Sequence, residues 1–110
     1  MKMSSKINII AEIGWNHMGN MTLAEKMIKA AAENGADYCK FQTWSVKSLK
    51  NGPWDDDGRR EIYEKAQLSI SDHILLKKIC AKYKVGFFTS LFNIKDVPML
   101  KKINKKIIKI

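Results

Sequence analysis

The sequence predicts an α/β domain built on a parallel sheet, and three observations carry that prediction. Short apolar runs rich in β-branched residues recur without polar alternation, as at INIIAEI (7–13) and DYCKFQT (37–43), the pattern of strands buried on both faces. Helix-length amphipathic segments separate them. The order that results is β-α-β-α-β-α-β, and parallel strands joined through helices require right-handed crossovers. A flavodoxin-like sheet and part of a (β/α)8 barrel both satisfy this order.

The first strand spans Ile7 to Ile13, and the polar loop Gly14 to Met21 follows it. Thr22 and Glu25 have the spacing of a capping box, in which each side chain satisfies the other residue's amide. Leu23, Met27, Ala30 and Ala31 then give the helix its apolar face, and Gly35 is placed to stop it. The second strand is Asp37 to Thr43. A long connection to about Ile70 contains the Gly52-Pro53 break, an acidic cluster at Asp55 to Asp57 and a short helix near Arg60 to Lys65. Ser69 or Ser71 caps the next helix, which turns Ile74, Leu75, Ile79 and Tyr83 to one side and leaves His73 solvated. Val85 to Phe88 opens the third strand. A further helix begins near Asp96, because Pro98 fits only a first turn, and buries Leu100 and Ile103. Lys105 to Ile110 reads as a fourth strand.

At 110 residues, 45% hydrophobic and 28% charged, with 6 Gly and 2 Pro, the composition suits one domain with a core and excludes a disordered or collagen-like chain. No apolar run approaches the roughly 18 residues of a membrane span, and Glu12 interrupts the N-terminal apolar stretch with no cleavage site after it. A cytoplasmic location is expected. Cys39 and Cys80 sit among apolar neighbours outside any C-x-x-C pattern and are expected to be reduced, buried thiols. The net charge is +9. Residues 1–70 carry ten Lys/Arg and nine Asp/Glu, whereas residues 71–110 carry ten Lys and two Asp. Only two of the 20 basic residues are Arg, and the C-terminal lysines alternate with apolar positions as on the wet face of a helix. A solvated face is favoured over a nucleic-acid surface.

Four residues do not suit a core: Glu12, Lys40, Gln42 and Lys109 all interrupt apolar strands. An isolated charge there costs several kcal/mol unless it is paired or reached by water or ligand. Lys40 and Gln42 share strand parity and so project from one face. Glu12, Lys40 and Gln42 lie toward the C-terminal ends of their strands, where parallel α/β proteins build their sites. A buried Glu12–Lys40 ion pair is one explanation. A polar site for a small phosphorylated carboxylate, with the lysines contacting the anion, is the other. Asn16 and His17, just past the first strand, are placed to line the same site. Asp55 to Glu64 approximates a calcium loop, but Pro53 occupies the first ligand position, so no metal is expected there.

AEIGWNHMGN (11–20), NGADYCKFQTW (34–44), IYEKAQLS (62–69), VGFFTSLFNIKDVPML (85–100) and the final IIKI together resemble the sialic acid synthase family, the N-acetylneuraminate synthases and their legionaminic acid relatives. Pseudaminic acid synthases usually depart from AEIG in the first motif and fit less well. The resemblance implies the N-terminal portion, about four strands and three helices, of a (β/α)8 barrel. The reaction it implies condenses phosphoenolpyruvate with an N-acetylated hexose such as N-acetylmannosamine, giving a nonulosonic acid and phosphate. It also implies that Lys40, Ser90 and Lys109 contact phosphoenolpyruvate, that Glu12 is the acid of the same pocket and that Gln42 reaches the sugar. The family reads S-T-P-F where this chain has Thr89-Ser90-Leu91-Phe92, so Thr89 or Ser90 supplies the hydroxyl.

A divalent Mn2+ or Mg2+ and a homodimer complete the family's picture. The resemblance implies that the histidines that hold the metal lie on later barrel strands, and that a separate small antifreeze-like domain follows the barrel, both beyond residue 110. A whole barrel needs about 250 residues, so residues 1–110 read as a partial barrel domain, expected to be inactive alone. The competing readings are a small basic nucleic-acid-binding domain and another phosphoenolpyruvate-condensing barrel. Phe87, Phe88 and Phe92 lie in or beside a buried strand and not among surface lysines, which disfavours the first. AEIGWNH and KFQTW disfavour the second.

Overall fold

A computed structural model describes residues 7–104 and Lys109. Its elements run β1 (Ile10–Gly14), α1 (Met21–Glu33), β2 (Tyr38–Thr43), α2 (Arg59–Ala66), α3 (Ile70–Lys82), β3 (Gly86–Leu91) and α4 (Val97–Ile103). The three strands form a parallel sheet in the order β1-β2-β3. The last strand of the sequence reading falls mostly outside the described residues. Lys109 is described, and it pairs in parallel with Ser90: its amide donates to the Thr89 carbonyl (3.1 Å) and its carbonyl accepts from the Leu91 amide (2.8 Å).

The two faces of the sheet separate by parity. Cys39 and Phe41 of β2, with Ile13 of β1 and Phe87 of β3, point toward α1 and α3, where Ala24, Ile28, Leu76, Ile79 and Cys80 close the main core. Lys40 and Gln42 project from the opposite face. A second cluster, Trp44, Val46 and Ala66 with Trp15, Leu49, Trp54 and Tyr63 packed on it, forms where the long β2–α3 connection folds back over the strand ends.

Several local expectations are corrected. β1 begins at Ile10, not Ile7, and Ile7, Ile9 and Ile10 are 85%, 55% and 49% exposed. This strand lies at the sheet edge among the described residues, so apolar character alone does not bury it. The cap of α1 is Asn20, whose side chain accepts from the Leu23 amide, so Thr22 and Glu25 do not form the box. The α1 face turned to the core is Ala24 and Ile28, while Leu23 is exposed. On α3 the buried stripe is His73, Leu76, Ile79 and Cys80, and Ile74 and Leu75 face outward.

Other local readings hold. Gly35, at φ +93°, ends α1 in a Schellman turn in which the Ala36 amide donates to Ala31 and the Gly35 amide to Ala32. Of the two candidate caps of α3, Ser69 and Ser71, Ser69 takes the position, in a box with Asp72 that the sequence reading does not single out. Pro98 lies in the first turn of α4, with Leu100 buried beneath it.

Candidate functional site

The site face is set by register. Glu12 pairs with Lys40, Lys40 with Phe88, and Gln42 with Ser90, so these side chains rise from one side of three adjacent parallel strands. Along β2 and β3 this face changes from aromatic to polar. Tyr38 and Phe88 meet edge to face near the strand starts, at a centroid separation of 5.8 Å, and Lys40, Gln42 and Ser90 follow toward the C-terminal ends.

Lys40 Nζ lies 2.6 Å from Glu12 Oε1. The lysine side chain is 7% exposed and the glutamate 53%, so the ammonium is enclosed while its partner opens to solvent. The ion-pair explanation of Glu12 and Lys40 therefore describes their contact, and the half-open carboxylate leaves the pair reachable from outside.

A local irregularity shapes the mouth. The register between β1 and β2 shifts between Glu12 and Gly14, and Gly14 has φ +61°. A Cβ on Gly14 would meet Gln42 Nε2 and Glu12 Oε2 at 3.6 Å and Asn16 Nδ2 at 3.8 Å. Three polar side chains thus gather around Gly14, whose left-handed backbone rather than lack of space calls for glycine.

Thr89 and Ser90 part company. Thr89 is buried on the helix-facing side, its hydroxyl 2.7 Å from Thr43 Oγ1, and Thr43 Oγ1 is 2.8 Å from His73 Nε2. Ser90 shares the face of Gln42 and is the partner of Lys109. Of the two hydroxyls, Ser90 is the one on the site face.

His17 does not line this face. It is wholly buried against Phe41, its Nδ1 accepts from the Gly19 amide, and its Nε2 has no partner among the described residues. Burial pushes its pKa below the usual imidazole value, with Asp72 pulling weakly the other way. His73, expected to be solvated, is buried too. Its Nδ1 donates to the Ser69 carbonyl at 2.6 Å, and burial dominates the lowering of its pKa. Its position was readable in principle, since His73, Leu76 and Cys80 share the i, i+3, i+7 stripe of a helix capped at Ser69.

Cys39 and Cys80 meet across β2 and α3. Both are free and buried, and their thiols interact, so the neighbouring Cys39 sulfur, and then burial, push the Cys80 thiol far up. Sequence reasoning also passed over the aromatic walls beside Gln42. Trp15, Gln42, Trp44, Leu49, Tyr63 and Phe92 line a pocket of about 120 Å³ at the strand ends. The signal was present, since an aromatic residue stands just past each of β1, β2 and β3.

Among the described residues, no group of three or more His, Cys, Asp or Glu is placed to hold a metal ion. Asp55 and Asp57, of the calcium-like segment, pair with Arg60 and Arg59. No described helix is long and apolar enough to cross a membrane.

Residues 27–110 match the NeuB family. The chain is 33% identical to the N,N'-diacetyllegionaminic acid synthase of Campylobacter jejuni over 96% of its own length and 35% of that protein's. It is 34% identical to a pseudaminic acid synthase of the same species, over 90% of this chain and 32% of that one. The two identities do not separate legionaminic from pseudaminic relatives. Among solved structures, the N-acetylneuraminic acid synthetase of Leptospira borgpetersenii, in complex with citrate, superposes with a TM-score of 0.82 at 28% identity, over all of this chain and 40% of that one. The chain spans about a third of the length of the curated relatives it matches. The parallel sheet, the order of its elements and the match over residues 27–110 place the chain in the NeuB family, the sialic acid synthase family, as the N-terminal part of its barrel.

Proposed function

We propose that this chain carries the phosphoenolpyruvate-binding part of a nonulosonic acid synthase. The observation that supports this most is the shared face at the C-terminal ends of consecutive parallel strands, where an enclosed Lys40 paired with Glu12 lies one pleat before the register row Gln42, Ser90 and Lys109. Two ammonium groups, a hydroxyl and an amide suit a small dianion carrying both phosphate and carboxylate. The half-open Glu12 is the acid beside them.

In the reaction, C3 of phosphoenolpyruvate forms a bond to the aldehyde carbon of an N-acetylated hexose. Water adds at C2, and cleavage of the C–O bond releases phosphate and leaves the 2-keto acid. Lys40, Ser90 and Lys109 hold the phosphoenolpyruvate, and Gln42 orients the sugar. A divalent metal and a homodimer belong to the same reading, as does a cytoplasmic location for an enzyme of phosphorylated metabolites. The described residues do not fit a metal, so no step is assigned to one.

The test is titration of the chain with phosphoenolpyruvate, followed by ³¹P NMR and calorimetry. Saturable binding that exceeds pyruvate binding, and that weakens about tenfold or more in Lys40→Met, is expected from loss of one charge-assisted contact. Equal binding of pyruvate, or an unchanged Lys40→Met, overturns the reading. Phosphate release with N-acetylmannosamine and Mn2+ tests the complete reaction.

A further inference from the structure

We propose that His73 is a positioning residue for the phosphoenolpyruvate face: from the helix-covered side of the sheet it fixes, through Thr43 and Thr89, the backbone of Ser90 and Lys109. This rests on the phosphoenolpyruvate reading of that face, and His73 itself touches no substrate.

The place of the two threonines is the first argument. Thr43 follows Gln42 on β2 and Thr89 precedes Ser90 on β3, while Gln42 and Ser90 are register partners. The hydroxyls of Thr43 and Thr89 are 2.7 Å apart, so they tie β2 to β3 diagonally behind that row. Their main chains hold the same row. The Thr43 carbonyl accepts from the Phe92 amide at 3.2 Å, and the Thr89 carbonyl accepts from the Lys109 amide at 3.1 Å. Movement of either threonine therefore carries the neighbouring backbone of the site with it.

The direction of the hydrogen bonds is the second. The Ser69 carbonyl can only accept, so the His73 Nδ1 that lies 2.6 Å from it carries the proton. Burial lowers the pKa of this ring against the pull of the Ser69 carbonyl, Asp72 and Asp96, which leaves a neutral imidazole with a lone pair on Nε2. Thr43 then donates to Nε2 at 2.8 Å, and its oxygen accepts from the Thr89 hydroxyl. One tautomer of one side chain thus sets the roles of both threonines.

Enclosure is the third. His73, Thr43 and Thr89 are fully or almost fully buried, and a satisfied polar network in a core rigidifies what it joins. Its far end is firm, because the Ser69 carbonyl also accepts from the His73 amide at 3.1 Å within the capping box that starts α3. An apolar residue would fill this place in the α3 stripe but would leave the strand ends untied.

Two measurements test the assignment. His73 and His17 are the only histidines of the chain, so long-range ¹H–¹⁵N spectra of the labelled protein resolve both rings. At about pH 7.5 His73 is expected as the Nδ1–H tautomer, and phosphoenolpyruvate should shift its Nε2 saturably from across the sheet, whereas His17, outside the network, stays in place. Calorimetry then compares two substitutions. Thr43→Val keeps the shape and removes the link, and should weaken phosphoenolpyruvate binding about fivefold or more. Thr43→Ser keeps the hydroxyl and loses a methyl, and should bind within about twofold of the parent chain even where its melting temperature falls.

An Nε2–H tautomer, a His73 ring unmoved at saturation, or equal affinities of the valine and serine variants overturns the positioning role. The spectra of the parent chain decide the matter if Thr43→Val does not fold. When phosphoenolpyruvate binds and these expectations fail, the reading of the Lys40 face survives alone. When it does not bind the parent chain, both fall.

Discussion

Lys40 is the enclosed member of its ion pair and Glu12 the open one: the ammonium and carboxylate are 2.6 Å apart, with side chains 7% and 53% exposed. This asymmetry makes the two residues unequal under substitution. Glu12→Ala leaves a buried ammonium with no counter-charge, and stranding a charge costs on the order of 3 kcal/mol. Lys40→Met keeps the volume, removes the buried charge and leaves a carboxylate that water can reach, so its cost should stay within about 1 kcal/mol. Urea midpoints should therefore fall much further for Glu12→Ala than for Lys40→Met. Equal losses would show that the lysine is solvated in spite of its enclosure.

A second prediction concerns pH. His17 and His73 are both buried, and burial holds both pKa values below the ordinary 6.5. Below pH 6.5 the unfolded chain therefore binds protons that the folded chain refuses, and stability falls as pH falls. Each imidazole contributes up to about 1.4 kcal/mol per pH unit within the window from its folded pKa to 6.5. The melting temperature should be level above about pH 7.5 and drop on going to pH 5.5. His73→Gln should be less stable at pH 7.5 but show a shallower drop, since one of the two groups no longer titrates. An unchanged slope in His73→Gln would assign the drop elsewhere.

The parts of this molecule that the sequence discloses are those decided by local spacing. Lys40 and Gln42 share a face by parity alone, and the serine cap of α3 and the Gly35 stop are complete within a few residues, although the structure alone chooses Ser69 over Ser71 and replaces the Thr22–Glu25 box by the Asn20 cap. What stays hidden depends on partners distant in the chain. Thr89 and Ser90 are both hydroxyl residues at a strand end, and only the register Gln42–Ser90 shows which faces Lys109. Ile74 and Leu75 are more apolar than His73, yet α3 buries the histidine because Thr43 and the Ser69 carbonyl satisfy its two nitrogens. Ile7, Ile9 and Ile10 read as core and are exposed, because burial requires a covering neighbour as well as apolar side chains. The aromatic pocket escaped for the same reason: Trp15, Trp44, Tyr63 and Phe92 come from four separate segments.

Gly19 and Gly35 offer a direct comparison of strain with collision. Both have positive φ, +79° and +93°. A Cβ on Gly35 meets nothing within 4 Å, so Gly35→Ala should cost only the left-handed backbone penalty, about 1–2 kcal/mol. A Cβ on Gly19 would lie 2.0 Å from the Lys65 carbonyl oxygen, a backbone atom of α2 that cannot rotate away. Gly19→Ala must therefore push α2 aside or destabilise the loop, at a cost at least about twice that of Gly35→Ala. Because α2 carries Tyr63, this substitution should also move the Trp15 and Trp44 indole resonances, which Gly35→Ala should leave in place. Equal effects of the two substitutions would mean that the loop and α2 are not in contact.

The thiols of Cys39 and Cys80 provide the last prediction. Each is buried, and contact with its neighbour and loss of solvent raise the Cys80 thiol far above the range in which thiolate forms. For Cys39 the neighbouring thiol favours the thiolate and burial opposes it, the first effect being the larger. Alkylation requires both thiolate and access, and access is closed for both while β2 and α3 remain packed. Iodoacetamide at pH 8 should thus leave both thiols unmodified in the native chain and label both in urea. Because modification must follow opening of the core, the native labelling rate should rise in Glu12→Ala about tenfold for each 1.4 kcal/mol of global stability lost, with the two cysteines labelled together. Fast native labelling of Cys39 alone would show that β2 opens locally, without the release of α3.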